Sequence, residues 1–278
     1  MPRVADQLLS CAFYLYENEE AASVGKSAGG TGFLVGVSSD YAPLGHHMYC
    51  VTTQHVMQSS PVVRLNTIDG GTKIFPFDSV DWDPHPDGDD IAVIPLMRGD
   101  KFKDAIEVTF FSEDLFVSQE MLIRMNIGIG DDVFMIGRFM PHDGALRNQP
   151  SLRFGHISMM PDQHHKINQV ERGNFRQESY CIDMHSVFGY SGSPVFMYRP
   201  QTISVNDPKV VFRFLGIHWG SIWDTVKDKE CGKQIHTHAG INGVVPAWKL
   251  WGLLQMPKFV KQREQELKDF LQRHPGDG

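Results

Sequence analysis

The chain reads as an all-β protein built in two halves of similar size, with a helical tail. Three observations predict this. Short apolar, β-branched runs outnumber amphipathic helical ones along most of the 278 residues. Glycine (26) and proline (16) punctuate those runs at close intervals. Past Ala247 the apolar period becomes helical. A chain of this length can bury a large core, as one two-lobed unit or as two modest domains.

In the first half, residues 10–16 alternate partly, and residues 32–37 form a short apolar strand bounded by glycine. Residues 41–47 carry proline and glycine, as a loop should. Residues 48–53 form a β-branched run that closes on Gln54-His55. Runs at 62–65 and 72–77 flank Asp69-Gly70-Gly71, a hairpin turn. A stretch rich in proline and aspartate, 82–88, leads to a strand at 91–95. That is one small barrel's worth of strands, ending near residue 110. In the second half, 131–138 reads as a strand, and 141–150 as a polar loop. Strands at 151–160 and 178–184 are separated by a polar stretch without a core pattern, and 194–198, 210–218 and 243–246 follow. In the tail, Val260, Leu267, Phe270 and Leu271 share a helical face, bounded by Pro257 and by Pro275-Gly276. The expected division is 1–115, 116–250 and 251–278.

Composition narrows the function classes. Apolar content of 41% and charged content of 21% describe an ordinary globular protein. A net charge of −7 without a basic block argues against a nucleic-acid partner. Cys11, Cys50, Cys181 and Cys231 are too scattered for a disulfide framework and include no C-x-x-C pair, so they read as buried free thiols. The apolar run 8–16 follows a single arginine and meets Glu17, Glu19 and Glu20 at once, which suits a first strand better than a signal peptide. No apolar stretch approaches the roughly 20 residues that span a bilayer. A cytoplasmic protein with no membrane partner is expected. His46-His47, His164-His165 and His236-x-His238 lack a completing carboxylate or cysteine and read as surface loop histidines, not metal ligands.

Three segments carry chemistry: Val51-Thr52-Thr53-Gln54-His55, Asp90-Ile91-Ala92-Val93-Ile94 and Gly189-Tyr190-Ser191-Gly192-Ser193-Pro194. A serine between glycines on a tight turn becomes a nucleophile when a base takes its proton and a third group orients that base. Ser191, His55 and Asp90 fill those roles. Asp89 and Asp87 compete with Asp90, but the residue opening an apolar strand is the better choice. The N–H groups of Gly189 and Ser191 would face a developing oxyanion. An α/β-hydrolase elbow would need glycine where Ser193 stands, and no downstream acid–base order supports it.

With these motifs in the order His, Asp, Ser, the chain resembles the chymotrypsin-like serine peptidases, in the style of bacterial trypsin-like and glutamyl endopeptidases. A fourth match, Gly216-Ile217-His218-Trp219-Gly220, falls where that family's substrate-lining strand lies. The resemblance implies two six-stranded antiparallel β-barrels with a C-terminal helix packed on the second. It also implies a protein or peptide substrate and no cofactor. Its first specificity pocket would be lined by His185, His218, Trp219 and Gly220, and the histidine in this context suggests preference for Glu, then Gln or Asp. Family members activated by cleavage carry an aspartate before the serine; Tyr190 stands there instead, so that route of activation is not expected. The C-terminal helix has the length to dock a protein partner. A catalytically silent peptide-binding module is the competing expectation.

Overall fold

The computed structural model describes residues 4–26, 28–41, 44–96, 106–107, 109–142, 144, 146–169, 175–186, 188–204, 207–227 and 234–273. Cys231 and the Pro275-Gly276 stop lie outside them, as do the side chains of His236 and His238.

Among the described residues eight strands precede residue 115: β1 (Ala12–Tyr16), β2 (Ala28–Ser38), β3 (His46–Thr52), β4 (Val62–Asn66), β5 (Thr72–Phe75), β6 (Asp83–Pro84), β7 (Ala92–Pro95) and β8 (Phe111–Ser112). They form one sheet in the order β5-β4-β1-β2-β3-β7-β6, with β8 parallel to β2. The eleven-residue β2 turns this sheet on itself. Its first part pairs with β1 and its second with β3, the two registers sharing Phe33. Phe13, Leu15, Leu34, Cys50, Val63, Trp82 and Ile94 then meet in one core.

The remaining strands are β9 (Asp132–Gly137), β10 (Ser151–Met159), β11 (Ile167–Gln169), β12 (Phe175–Gln177), β13 (Tyr180–Met184), β14 (Pro194–Ser204), β15 (Asp207–Lys227) and β16 (Gln234–Pro246). Six of them close into a barrel, β10-β13-β16-β15-β14-β9, and β11 pairs with β12 as a separate hairpin. The expected all-β architecture is therefore present as one closed six-stranded barrel, a second sheet and C-terminal helices. Period two explains how both sides of the barrel wall are apolar. Val133 and Met135 of β9, and Val195 and Met197 of β14, point into the barrel core. Their neighbours Phe134, Ile136, Phe196 and Tyr198 point to the core shared with the first sheet. There Phe111 lies 5.0 Å from Phe196 and 4.9 Å from Phe214, and Phe33 lies 5.6 Å from Phe111. This aromatic seam joins sheet to barrel.

Among the described residues there are six α-helices: α1 (Asp6–Leu9), α2 (Glu19–Val24), α3 (Gln54–Ser59), α4 (Gln119–Arg124), α5 (Ala247–Leu254) and α6 (Pro257–Arg273). The first four are too short for a helical period to register. Caps mark two of them: Asn18 accepts from the Ala21 N–H at 2.8 Å, and Ser118 from that of Met121 at 3.1 Å. Among the described residues no helix is long and apolar enough to cross a membrane.

Two expectations are corrected here. The tail helix does not pack on the barrel alone. α5 covers the barrel side, with Leu250, Leu253 and Leu254 in the shared core, while α6 lies on the first sheet. Phe259 meets the Tyr49 ring edge-on at 5.8 Å, Arg263 donates to the Tyr49 hydroxyl at 3.2 Å, and Glu266 pairs with His47 at 2.6 Å. The docked stripe is thus Phe259, Arg263, Glu266 and Phe270, one position off the purely apolar face, and Leu271 is exposed. His47 is no loop histidine either; it is buried in β3, where Glu266 satisfies its ring nitrogen.

Candidate active site

β3 ends at Thr52, whose hydroxyl donates to the Thr31 carbonyl of β2 at 2.8 Å. The chain then turns through Thr53 into α3, so His55 sits in the first turn of a helix and not at the end of a strand. Its β-branched approach, Val51-Thr52-Thr53, hides that start in the sequence. Asp90 arrives from another direction, after a turn in which Gly88 N–H donates to the His85 carbonyl at 3.0 Å. It is fully buried, two residues before β7.

The two residues grip each other twice. Asp90 Oδ2 accepts from His55 Nδ1 at 2.7 Å, and Oδ1 accepts from the His55 backbone N–H at 3.1 Å. An ionised carboxylate only accepts, so Nδ1 donates, and in the neutral ring the lone pair lies on Nε2. The imidazole remains 27% exposed while the carboxylate is sealed.

Asp90 has two further partners that the sequence reading missed. Gln169 Nε2 donates to Oδ2 at 2.8 Å, and Gln177 Oε1 accepts from the Asp90 N–H at 2.9 Å. Both glutamines come from the β11–β12 hairpin, which lies in the polar stretch read as patternless. Asp89 points elsewhere. Its carboxylate lies 3.2 Å from Lys249 Nζ of α5, which also lies 3.6 Å from Glu178. Burial pulls the Lys249 ammonium down, but the carboxylates of Asp89 and Glu178 outweigh it, and its pKa is raised. Burial lowers the pKa of the neighbouring His85, against the opposing pull of Asp89. Asp87 is exposed.

The Ser191 turn is fixed to the first sheet through Thr31. The Thr31 N–H donates to the Ser191 carbonyl at 2.9 Å, and its hydroxyl donates to the Gly189 carbonyl at 2.7 Å. Gly192 has φ +86, and a Cβ there would lie 2.0 Å from the Thr31 carbonyl oxygen and 2.4 Å from Thr52 Oγ1. Only glycine permits that approach. A Cβ on Gly30 would lie within 2.8 Å of both the Ser191 carbonyl oxygen and Val56 Cγ2, so turn and helix α3 meet across this one residue. The Ser191 hydroxyl leans toward the Trp219 carbonyl at 3.4 Å, and it forms no hydrogen bond with His55. Among the described residues the N–H groups of Gly189 and Ser191 have no protein acceptor. Tyr190 is buried; its hydroxyl contacts Ser151 Oγ and accepts from Arg153 Nε at 3.3 Å.

Of the residues expected to line a specificity pocket, His218 is 2% exposed. Its Nδ1 donates to the Tyr190 carbonyl at 2.9 Å, and Nε2 lies 3.3 Å from Asn242 Oδ1. Asn242 Oδ1 also accepts from Ser221 at 3.1 Å and from Ser186, the residue after the exposed His185. Trp219 is anchored by a 3.0 Å bond from Nε1 to Ser179, and its ring covers Gly243, while none of the described residues stands within 4 Å of a Cβ placed on Gly220. The buried Cys11 and Cys50 thiols are pushed up by desolvation, and Cys181 to about 11.

No family model and no curated protein matches the sequence. Among solved structures the chain is similar to the apo MamO protease domain from Magnetospirillum magneticum, at 16% identity and a TM-score of 0.53, over 91% of this chain and 100% of that one. It is also similar to the HtrA-type protease AlgW with tripeptide, at 14% identity and a TM-score of 0.47, over 91% of this chain and 64% of that one. A third is the Rv3671c protease in its inactive form, at 17% identity and a TM-score of 0.47, over 88% of each chain. Identities this low speak to architecture, and the first of these carries the assignment. The chain has a chymotrypsin-like protease fold.

Proposed function

We propose that the chain is a serine endopeptidase that cleaves peptide bonds through an acyl-enzyme on Ser191. The observation that carries this reading is the doubly bonded His55–Asp90 pair, its Nε2 meeting no donor among the described residues, on the helix α3 against which, with β2, the Gly189–Ser191 turn docks. In the proposed reaction the Ser191 hydroxyl rotates about χ1 from the Trp219 carbonyl toward His55, gives its proton to Nε2 and attacks the substrate carbonyl. A nucleophile–base bond that is open in the free enzyme and closes with substrate is common in such sites. Asp90 stabilises the imidazolium, which returns the proton to the leaving amine; water then repeats the cycle to release the acyl group. The two uncommitted N–H groups of Gly189 and Ser191 serve the oxyanion, each worth about 3 kcal/mol in the transition state.

The side chain on the acyl side of the scissile bond would be read at the open face of Gly220, beside Trp219 and the exposed His185, with the buried His218 holding that wall through the Tyr190 carbonyl and Asn242. An imidazole donor such as His185 suits a carboxylate or an amide oxygen, so Glu is the preferred residue, with Gln or Asp next. Profiling cleavage of a mixed peptide library checks both proposals. Glu-directed cleavage, reduced on the order of a millionfold in Ser191→Ala, is the expected result. Dominant cleavage after basic or large aromatic residues would remove the specificity proposal, and unchanged cleavage in Ser191→Ala would remove the mechanism.

One observation favours a second reading. The Ser191 hydroxyl is turned to Trp219 and away from His55, as it would be in a silent peptide-binding module. That reading predicts peptide binding without turnover in well-folded protein.

A further inference from the structure

We infer that Gln169 is a positioning residue of the proposed triad, holding the Asp90 carboxylate in the rotation that His55 requires, with Gln177 fixing the main chain beneath it. The inference rests on the peptidase reading. It starts from a hairpin whose register puts Ile167 opposite Gln177 and Gln169 opposite Phe175. Alternation then places Ile167, Gln169, Phe175 and Gln177 on one face. That face is turned inward: both glutamines are buried, Ile167 and Phe175 are half-buried, and Asn168 and Arg176 are exposed. Phe175 covers the turn before Asp90, where a Cβ on Gly88 would lie 3.2 Å from its ring.

A hairpin that only had to cover this turn would do so with apolar side chains, because a buried amide without partners is costly. Here each glutamine commits one half of its amide to Asp90, while Gln169 Oε1 and Gln177 Nε2 are buried without a partner among the described residues. The orientation of each amide follows from what it meets. A backbone N–H only donates, so Gln177 offers oxygen; an ionised carboxylate only accepts, so Gln169 offers nitrogen. Gln169 and His55 therefore share Oδ2, at 2.8 and 2.7 Å. The second donor fixes the plane of the carboxylate and draws charge from the oxygen that binds the imidazole. The charged groups nearby, Asp89, Lys249, Glu178 and His85, pair among themselves.

Gln169→Met keeps the shape and removes the donor. Its kcat should fall about ten- to hundredfold with KM within about twofold, and the His55 Nδ1 proton resonance should move downfield as Oδ2 binds its remaining donor more tightly. Unchanged kcat, or a fall in kcat with that resonance unmoved, would overturn the inference. The NMR readout needs no turnover, so a chain that cleaves nothing would sink the peptidase reading while leaving this one decided. Should Gln169→Met fail to fold, the side-chain amide protons of Gln169 in the unaltered protein give the answer. They should shift in Asp90→Asn, and signals indifferent to that change would overturn the proposal.

Discussion

At the scale of single residues, the site is a set of close approaches that tolerate one side chain each. Gly192 is the sharpest case, because its φ of +86 and the 2.0 Å gap to the Thr31 carbonyl leave no room for a methyl group. Left-handed strain and overpacking together predict that Gly192→Ala loses about 3 kcal/mol or more in urea unfolding. Gly220 is the contrast. With none of the described residues within 4 Å of a built Cβ, Gly220→Ala should leave stability within about 0.5 kcal/mol. Where Gly220 lines the proposed pocket, KM for a good substrate should nevertheless rise. The serine motif and its glycines were legible in the sequence because the chemistry prescribes residue types at fixed spacing. Thr31, Gln169 and Gln177 were not, since an isolated threonine or glutamine in a polar stretch announces no partner some 80 to 160 residues away.

At the scale of elements, strands and tail helix followed from period and punctuation, and the short helices did not. The β11–β12 hairpin escaped because only three residues per strand alternate, two of the four inward ones being polar. α6 was foreseen as a helix, but not its seat on the first sheet, because its docked face mixes Phe259 with Arg263 and Glu266. Phe259 is 1% exposed. Its truncation to alanine should cost about 3 to 5 kcal/mol in denaturant unfolding, and a loss below about 1 kcal/mol would mean that α6 is not docked there. α5 contributes the cation of a buried network, Asp89–Lys249–Glu178. Because the folded Lys249 pKa lies above its ordinary value, the network's contribution is complete below the usual lysine range. It is lost as pH climbs through the folded value. Stability measured from pH 8 upward should therefore fall at the alkaline end. Lys249→Met should lower the neutral plateau and flatten that part of the fall, separating it from the alkaline titration of the buried tyrosines and thiols.

At the scale of the molecule, the sheet carries His55 and Asp90, the turn that enters the barrel carries Ser191, and the seam between them is both apolar and hydrogen-bonded. The Phe33–Phe111–Phe214 stack, the Thr31 bonds to Gly189 and Ser191, and the glutamine bonds to Asp90 all cross it. Calorimetry should accordingly give one cooperative transition, with calorimetric and van't Hoff enthalpies agreeing; two separable transitions would mean that sheet and barrel stand independently. The two all-β halves were visible in the sequence, whereas the seam was not, because aromatic residues on both sides of a strand look the same whether they face a barrel interior or a neighbour. In the proposed chemistry His55 activates Ser191 across that seam. The most direct measurement is phosphonylation by a fluorophosphonate, located by peptide mass spectrometry and timed. A single stoichiometric adduct on Ser191 is expected, forming at least about a thousandfold more slowly in His55→Ala. No adduct in folded protein, or an adduct that forms equally fast without the imidazole, would contradict it.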